Sequence, residues 1–108
     1  MDISKKIISA VIACYNDSQA IPEMHRRLTA AFNKIGIDYE IIFVNDGSTD
    51  NSENVLKEIC TQDKKTTAIL HSRNFSSQNA FTSGMMQSIG DSVILFDGDL
   101  QDPPELIP

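Results

Sequence analysis

Along the chain, continuous apolar runs alternate with stretches in which apolar residues return every three or four positions. Residues 7 to 14, IISAVIAC, are rich in β-branched side chains and stop at the polar YNDS, which predicts a buried strand. From Gln19 to about Lys34 the positions Ile21, Met24, Leu28, Ala31, Phe32 and Ile35 follow a helical period. Asp17 or Ser18 is the expected cap, Pro22 is tolerated in the first turn, and Gly36 is the expected stop. YEIIFV at 39 to 44 predicts a second strand that runs into NDGSTD. Asp50 followed by Glu53 has the spacing of a capping box, and Val55, Leu56, Ile59 and Cys60 give the next helix an apolar face. Thr67 to His71 reads as a third strand. Ser77 to Ile89 reads as a third helix, with Ala80, Phe81, Gly84, Met85 and Ile89 mostly on one side and Gly90 closing it. Val93 to Phe96 is a fourth strand, and Met85 and Met86 read as core packing.

Four apolar strands alternating with three amphipathic helices predict an α/β domain, a parallel sheet covered on both faces. No repeat, linker or low-complexity tract interrupts the 108 residues, so they read as one domain. In such sheets ligands bind beyond the carboxyl ends of the strands, where strand order reverses. Here those ends carry CYND, NDGSTD, HSRN and DGDLQD.

Charge and cysteine content narrow the partners. A net charge of -6 argues against nucleic acid, whose phosphates require clustered Lys and Arg. Cys14 and Cys60 lack metal-ligand spacing and are expected to be reduced thiols in a cytoplasmic setting. The opening MDISKKIISAVIAC is too short in apolar length for a membrane span and has no cleavage site, so neither a span nor a signal peptide is expected.

The chemistry concentrates at two carboxylate-bearing loops. In NDGSTD, Asp46 follows the strand directly and is expected to offer its carboxylate to a ligand's N–H or hydroxyl, whereas Ser48, Thr49 and Asp50 serve equally well as turn and cap residues. In DGDLQDPPE, Asp97 and Asp99 flank Gly98 just past a buried strand, and no cation lies within residues 91 to 108. Such a pair can converge on a divalent ion, and the oxygen-only set suits Mg2+ or Mn2+ better than zinc. A solvated acidic loop stiffened by Pro103 and Pro104 is the plainer alternative. An EF-hand is excluded because its sixth loop position here is Asp102, not glycine. His25, beside Arg26 and Arg27, reads as a surface residue. His71 reads as a ligand contact or as a hydrogen-bonded core histidine, and Arg73 as a phosphate or carboxylate partner or a solvated side chain.

Taken in order, IACYND, VNDGSTDNS, SRNF and FDGDLQDPPELIP resemble the N-terminal half of family 2 glycosyltransferases. The branch they look most like contains dolichol-phosphate mannose synthase and bacterial polyprenyl-phosphate glycosyltransferases. The likeness runs from Ile7 to Pro108. It implies a GT-A fold, a Rossmann-like three-layer sandwich with a mostly parallel sheet, here its nucleotide-sugar-binding half without the acceptor half. It also implies that Ala13, Tyr15, Asp17, Val44 and Asp46 bind the nucleotide, that Asp97 faces ribose and metal, and that Gly98 lies against the nucleotide. Asp99 would ligate the metal with help from Gln101, making Asp97 and Asp99 the catalytic pair. Four positions depart from the family pattern: Ala13 stands for proline, Asp17 for glutamate, and Ser76–Ser77 for Gly-Lys after SRNF.

The resemblance therefore implies inverting transfer from a UDP- or GDP-linked sugar, with a polyprenyl phosphate or a sugar hydroxyl as acceptor. A longer form would act at the inner face of a membrane, and the present chain is expected to bind nucleotide without turning over. A non-catalytic nucleotide-binding or scaffolding module that keeps the fold is the alternative, kept open by the departures at Ala13, Ser76 and Ser77. A receiver domain lacks its paired acids and lysine here, and a nucleotidyltransferase lacks its glycine-rich phosphate loop.

Overall fold

A computed structural model of the chain describes residues 7–72 and 77–97. The apolar runs become strands and the periodic stretches helices, in strict alternation: β1 (Ile7–Cys14), α1 (Ala20–Ile35), β2 (Asp38–Asp46), α2 (Ser52–Gln62), β3 (Thr66–His71), α3 (Ser77–Gln87) and β4 (Ser92–Asp97). The strands form one sheet in the order β3-β2-β1-β4, and each neighbouring pair is parallel. The first two crossovers step from β1 towards β3. The third carries the chain back across β2 and β1 to the opposite edge, so strand order reverses between β1 and β4.

Because successive strand residues face opposite sides, the sheet builds two separate cores. On one side Ala10, Ile12, Cys14, Ile41, Phe43 and Phe96 meet Ile21, Met24, Leu28 and Phe32 of α1 and Leu56 of α2. Phe32 stacks on Tyr39 at a centroid distance of 4.7 Å, and the Lys65 ammonium lies 4.4 Å from the Tyr39 ring centre. Burying each large apolar side chain of this kind contributes roughly 1.5–3 kcal/mol. On the other side Val11, Ala13, Ile42 and Val44 form a smaller cluster, against which Ile69 and Phe81 pack.

Helix α3 approaches the sheet so closely that a Cβ on Gly84 would stand 2.2 Å from Val11 Cγ1. That approach accounts for a glycine at the centre of a helix, where it otherwise costs about 1 kcal/mol relative to alanine. At the amino end of the sheet, buried Ser9 donates its hydroxyl to Glu40 at 2.5 Å and accepts the Gly90 N–H at 2.9 Å. Glu40 also accepts the Ile89 N–H at 2.6 Å, which fixes the connection from α3 to β4.

Several expectations change. Asp50 and Glu53 form no capping box: α2 starts after Asn51 with no side-chain cap, because Asp50 Oδ1 is spent on the Ser52 N–H and hydroxyl. Neither Asp17 nor Ser18 caps α1 by its side chain. Gln19 occupies the cap position, and it is the Asp17 carbonyl that accepts the Ala20 and Ile21 N–H groups. Gly36 does stop α1, in the left-handed conformation at φ 78°. Helix α3 ends at Gln87 instead of Ile89, since the hydroxyl of Ser88 turns onto the Met85 carbonyl and Glu40 captures Ile89. Coverage of the second face is incomplete among the described residues. Met85, Met86, Ile89, Val93 and Leu95 are all exposed, Met86 at 81%, so Met85 and Met86 are not core.

Candidate functional site

The strand ends fulfil the geometric condition set by the alternating pattern. Across the sheet Val44, Ala13 and Asp97 stand side by side in register, spanning β2, β1 and β4 at the carboxyl end where strand order reverses. Ala13 and Val44 belong to the α3 face. Asp46, two residues beyond Val44, is the last residue of β2 and shares that side by alternation. Beyond β1 the chain surfaces, and Tyr15 is 45% exposed.

Asn16, adopting the left-handed conformation at φ 54°, ties the loop after β1 to the loop after β2. Asparagine is among the few residues that tolerate this conformation. Its side-chain oxygen accepts the Thr49 N–H at 2.8 Å, the Thr49 hydroxyl at 3.3 Å and the Asp50 N–H at 3.3 Å, and its own N–H donates to Ser48 Oγ at 2.9 Å. Asp17 Oδ2 accepts the Tyr15 N–H at 3.0 Å, and Asp50 Oδ2 accepts the Ser18 N–H at 3.2 Å. Ser48, Thr49 and Asp50 are thus loop-binding residues. Desolvation works against the Asp50 charge, but the hydrogen bonds from Ser52 and Ser18 outweigh it and hold the carboxyl below its ordinary range. An open polar cavity of about 430 Å³ lies beside these loops, lined by Asn16, Asp17, Ser18, Gln19, Ala20 and Asp50. Sequence reasoning quoted Asn16 but assigned it no role; its signal was an asparagine at the turn just past a strand.

Asp46 does not stand free over the sheet edge, as its position predicted. It is 3% exposed, and its Oδ1 lies 2.8 Å from Nδ1 of His71, its register neighbour on β3. The other ring nitrogen of His71, Nε2, lies 2.8 Å from Ser83 Oγ on α3. His71 is therefore the hydrogen-bonded histidine of the two expected alternatives. His25 is no simple surface residue either: its Nε2 lies 2.8 Å from Asp63 Oδ2, with the side chain 21% exposed.

Cys14 and Cys60 are free thiols. Burial, followed by the charges of Asp17 and Asp50, pushes the Cys14 thiol far up, so it stays neutral beside the loops. Gly98, Asp99, Gln101 and the rest of the acidic stretch, like Arg73 and Ser76, lie outside the described residues. Among the described residues no group of three or more His, Cys, Asp or Glu side chains is placed to hold a metal. No helix among them is long and apolar enough to cross a membrane.

Comparison with known proteins gives this geometry a family. The model of a family described as glycosyl transferase family 2 matches residues 9–108. The chain is similar to the undecaprenyl-phosphate 4-deoxy-4-formamido-L-arabinose transferase of Pseudomonas fluorescens, at 43% identity over 102 residues that make up 94% of this chain and 30% of that protein. The protein of that name from Pectobacterium atrosepticum is 43% identical over 104 residues, 95% of this chain and 32% of its own. The chain thus spans about a third of the length of these relatives. Among solved structures, mannosyltransferase PcManGT from Pyrobaculum calidifontis, in complex with GDP-Man and Mn2+, superposes with a TM-score of 0.74 at 16% identity, over 94% of this chain and 34% of that one. S. aureus TarS, residues 1–349, gives 0.67 at 19% identity over 85% and 27%. Likeness at these identities concerns the fold, which is α/β of the GT-A kind.

Proposed function

The chain belongs to glycosyl transferase family 2, and on that premise we propose that it binds the donor, a nucleotide-diphosphate sugar, for an enzyme that transfers the sugar with inversion. The observation that carries the reading is the row Val44, Ala13, Asp97, with Asp46 one step beyond, at the carboxyl ends where strand order reverses. In this reading the base lies against Ala13 and Tyr15, with Val44 beside it and Asp17 on the adjoining loop. Asp46 accepts a hydrogen bond from the base, Asp97 faces the ribose, and Gly98 lies against the nucleotide. The Asn16 lacing would hold the two base-side loops at a fixed separation before any ligand arrives, which lowers the ordering cost of binding.

Departure of a nucleoside diphosphate leaves charge on its phosphates. Mg2+ or Mn2+, bound by Asp99 with Asp97 and Gln101, would neutralise that charge as a Lewis acid. The oxygen-only chemistry of these side chains fits such an ion, and the end of β4 beside β1 is where their stretch begins. An acceptor of the polyprenyl-phosphate class is supported by the names of the curated relatives. Its phosphate oxygen is already anionic and needs no strong base. A protein of the relatives' length would then work at the cytoplasmic face of a membrane.

The test is a titration of the chain with UDP and GDP, with and without Mn2+, followed by amide NMR. Metal-dependent shifts at Tyr15, Asp46 and 97–101 are expected with one nucleotide, and Asp99→Ala should abolish the metal dependence. Absence of shifts with both nucleotides would refute the reading.

A further inference from the structure

The contact chain Asp46, His71, Ser83 joins β2, β3 and α3 on one side of the sheet, at the site rather than away from it. An ionised carboxylate only accepts hydrogen bonds, so the proton at the 2.8 Å contact sits on His71 Nδ1. In a neutral imidazole Nε2 is then the acceptor, and the Ser83 hydroxyl donates to it. The Asp46 carboxylate thereby sets the tautomer, and the Ser83 hydroxyl, able to donate or accept, complements it. Both side chains of the pair are largely withdrawn from water, at 13% and 4% exposure, so the contact is little weakened by solvent.

We propose that His71, held between Asp46 and Ser83, is a positioning residue that fixes the orientation of the Asp46 carboxylate for reading a nucleotide's base. The inference rests on the donor-site reading above and adds a specificity device to it. A carboxylate offers about four lone-pair directions, and His71 takes one of them. Holding that one fixes the plane of the group and hence the directions from which a base N–H is received. Uracil and guanine present their N–H groups differently, so a fixed carboxylate prefers one of them and a swinging carboxylate does so less. The three residue types also occur in acyl-transfer triads, but Ser83 sits inside α3, where backbone N–H groups are consumed by the helix and cannot form an oxyanion hole. The chain's role is orientation.

Two measurements on the 108-residue chain decide the matter. Long-range 1H–15N correlation in the free protein, above the titration range of imidazole, should show His71 as the Nδ1–H tautomer, and Asp46→Ala should mix or reverse it. Binding of UDP and GDP with Mn2+ should then show a base preference, the ratio of the two dissociation constants. His71→Leu should reduce it about tenfold, as expected for loss of one charge-assisted hydrogen bond, with the folded state checked by circular dichroism. His71→Asn, whose amide nitrogen falls where Nδ1 does, should recover part of the preference, and Ser83→Ala should lower it less than His71→Leu. Variants that bind with the preference intact, that lose affinity for both nucleotides equally, or a wild type without preference, overturn the inference while leaving the nucleotide site standing. Failure of the wild type to bind either nucleotide overturns the site reading itself, whatever the tautomer.

Discussion

Strand β3 has an aspartate–histidine pair at each end, both with a nitrogen-to-oxygen distance of 2.8 Å, and the two serve different ends of the molecule. At the amino end Asp63 accepts from His25 of α1, from the Thr66 hydroxyl at 2.8 Å and from the Lys65 N–H at 3.0 Å. These groups come from its own turn and from the helix layer over the large core, and the pair is 21% and 23% exposed. At the carboxyl end Asp46, its side chain 4% exposed, meets His71, at 13%, and the third member comes from α3 across the smaller core. The first pair ties helices to the sheet at the rim. The second is withdrawn from water beside the residues at which strand order reverses. Identical contact lengths therefore say little about role; position along the strand and the supplier of the third group say more.

The largest expected effect comes from displacing α3. Gly84→Val would drive a branched side chain into Val11, and overpacking of this kind costs roughly 1–3 kcal/mol, here at the upper end because Val11 is stiff and fully buried. Denaturant unfolding measures the loss. Since Ser83 rides on the same helix, the His71 ring signals should move while those of His25 stay. Unchanged His71 signals in a destabilised but folded variant would mean that α3 does not hold the carboxyl-end pair.

Removing the two carboxylates in turn comes next. Asp46→Ala leaves the His71 Nδ1–H without its buried acceptor and should cost about 2 kcal/mol. Asp63→Ala at the solvated rim should cost less than about 1 kcal/mol. Equal losses from the two variants would contradict the distinction drawn between the strand ends.

The four strands were legible because β-branched apolar runs bounded by polar residues leave little choice. IISAVIAC is β1 to the residue, and β2 exceeds its expected span by one residue at its start and two at its end. Helix ends were less legible, since a cap depends on what else competes for the capping group. Asp50 had the correct spacing with Glu53, yet Ser52 and Ser18 claim its oxygens. The exposed side of α3 and β4 was misread for a related reason: periodicity identifies an apolar face but not whether anything packs on it, as Met86 and Leu95 show. At the site, the resemblance named Ala13, Val44 and Asp46, and it is the register of β1 on β2 that puts them on one side. The Asp46–His71–Ser83 chain could not be read, because it joins residues 25 and 12 apart through strand order and through the close approach that Gly84 permits.

The smallest effect is a pH dependence that separates the rim from the loops of the site. Burial alone would raise the Asp63 carboxyl, but the hydrogen bonds from His25, Thr66 and the Lys65 N–H, with the His25 charge, outweigh it and lower the folded value. A carboxyl depressed in the folded state contributes stability above its unfolded value of about 3.9, and that contribution is lost as pH falls through the lower folded value. Asp50 is lowered in the same direction by Ser52 and Ser18, so both groups contribute to the acid limb. Stability measured by denaturant between about pH 2 and pH 6 should therefore fall less steeply in Asp63→Asn than in the wild type, without becoming flat. Asp50→Asn should reduce the same limb and also loosen the Ser18 and Ser52 contacts beside the site, which amide shifts would register there and not at Asp63. An acid limb of wild-type amplitude in Asp63→Asn would show that the rim carboxylate is bonded no better folded than unfolded, and the pair at the amino end of β3 would then lose its role as a tie.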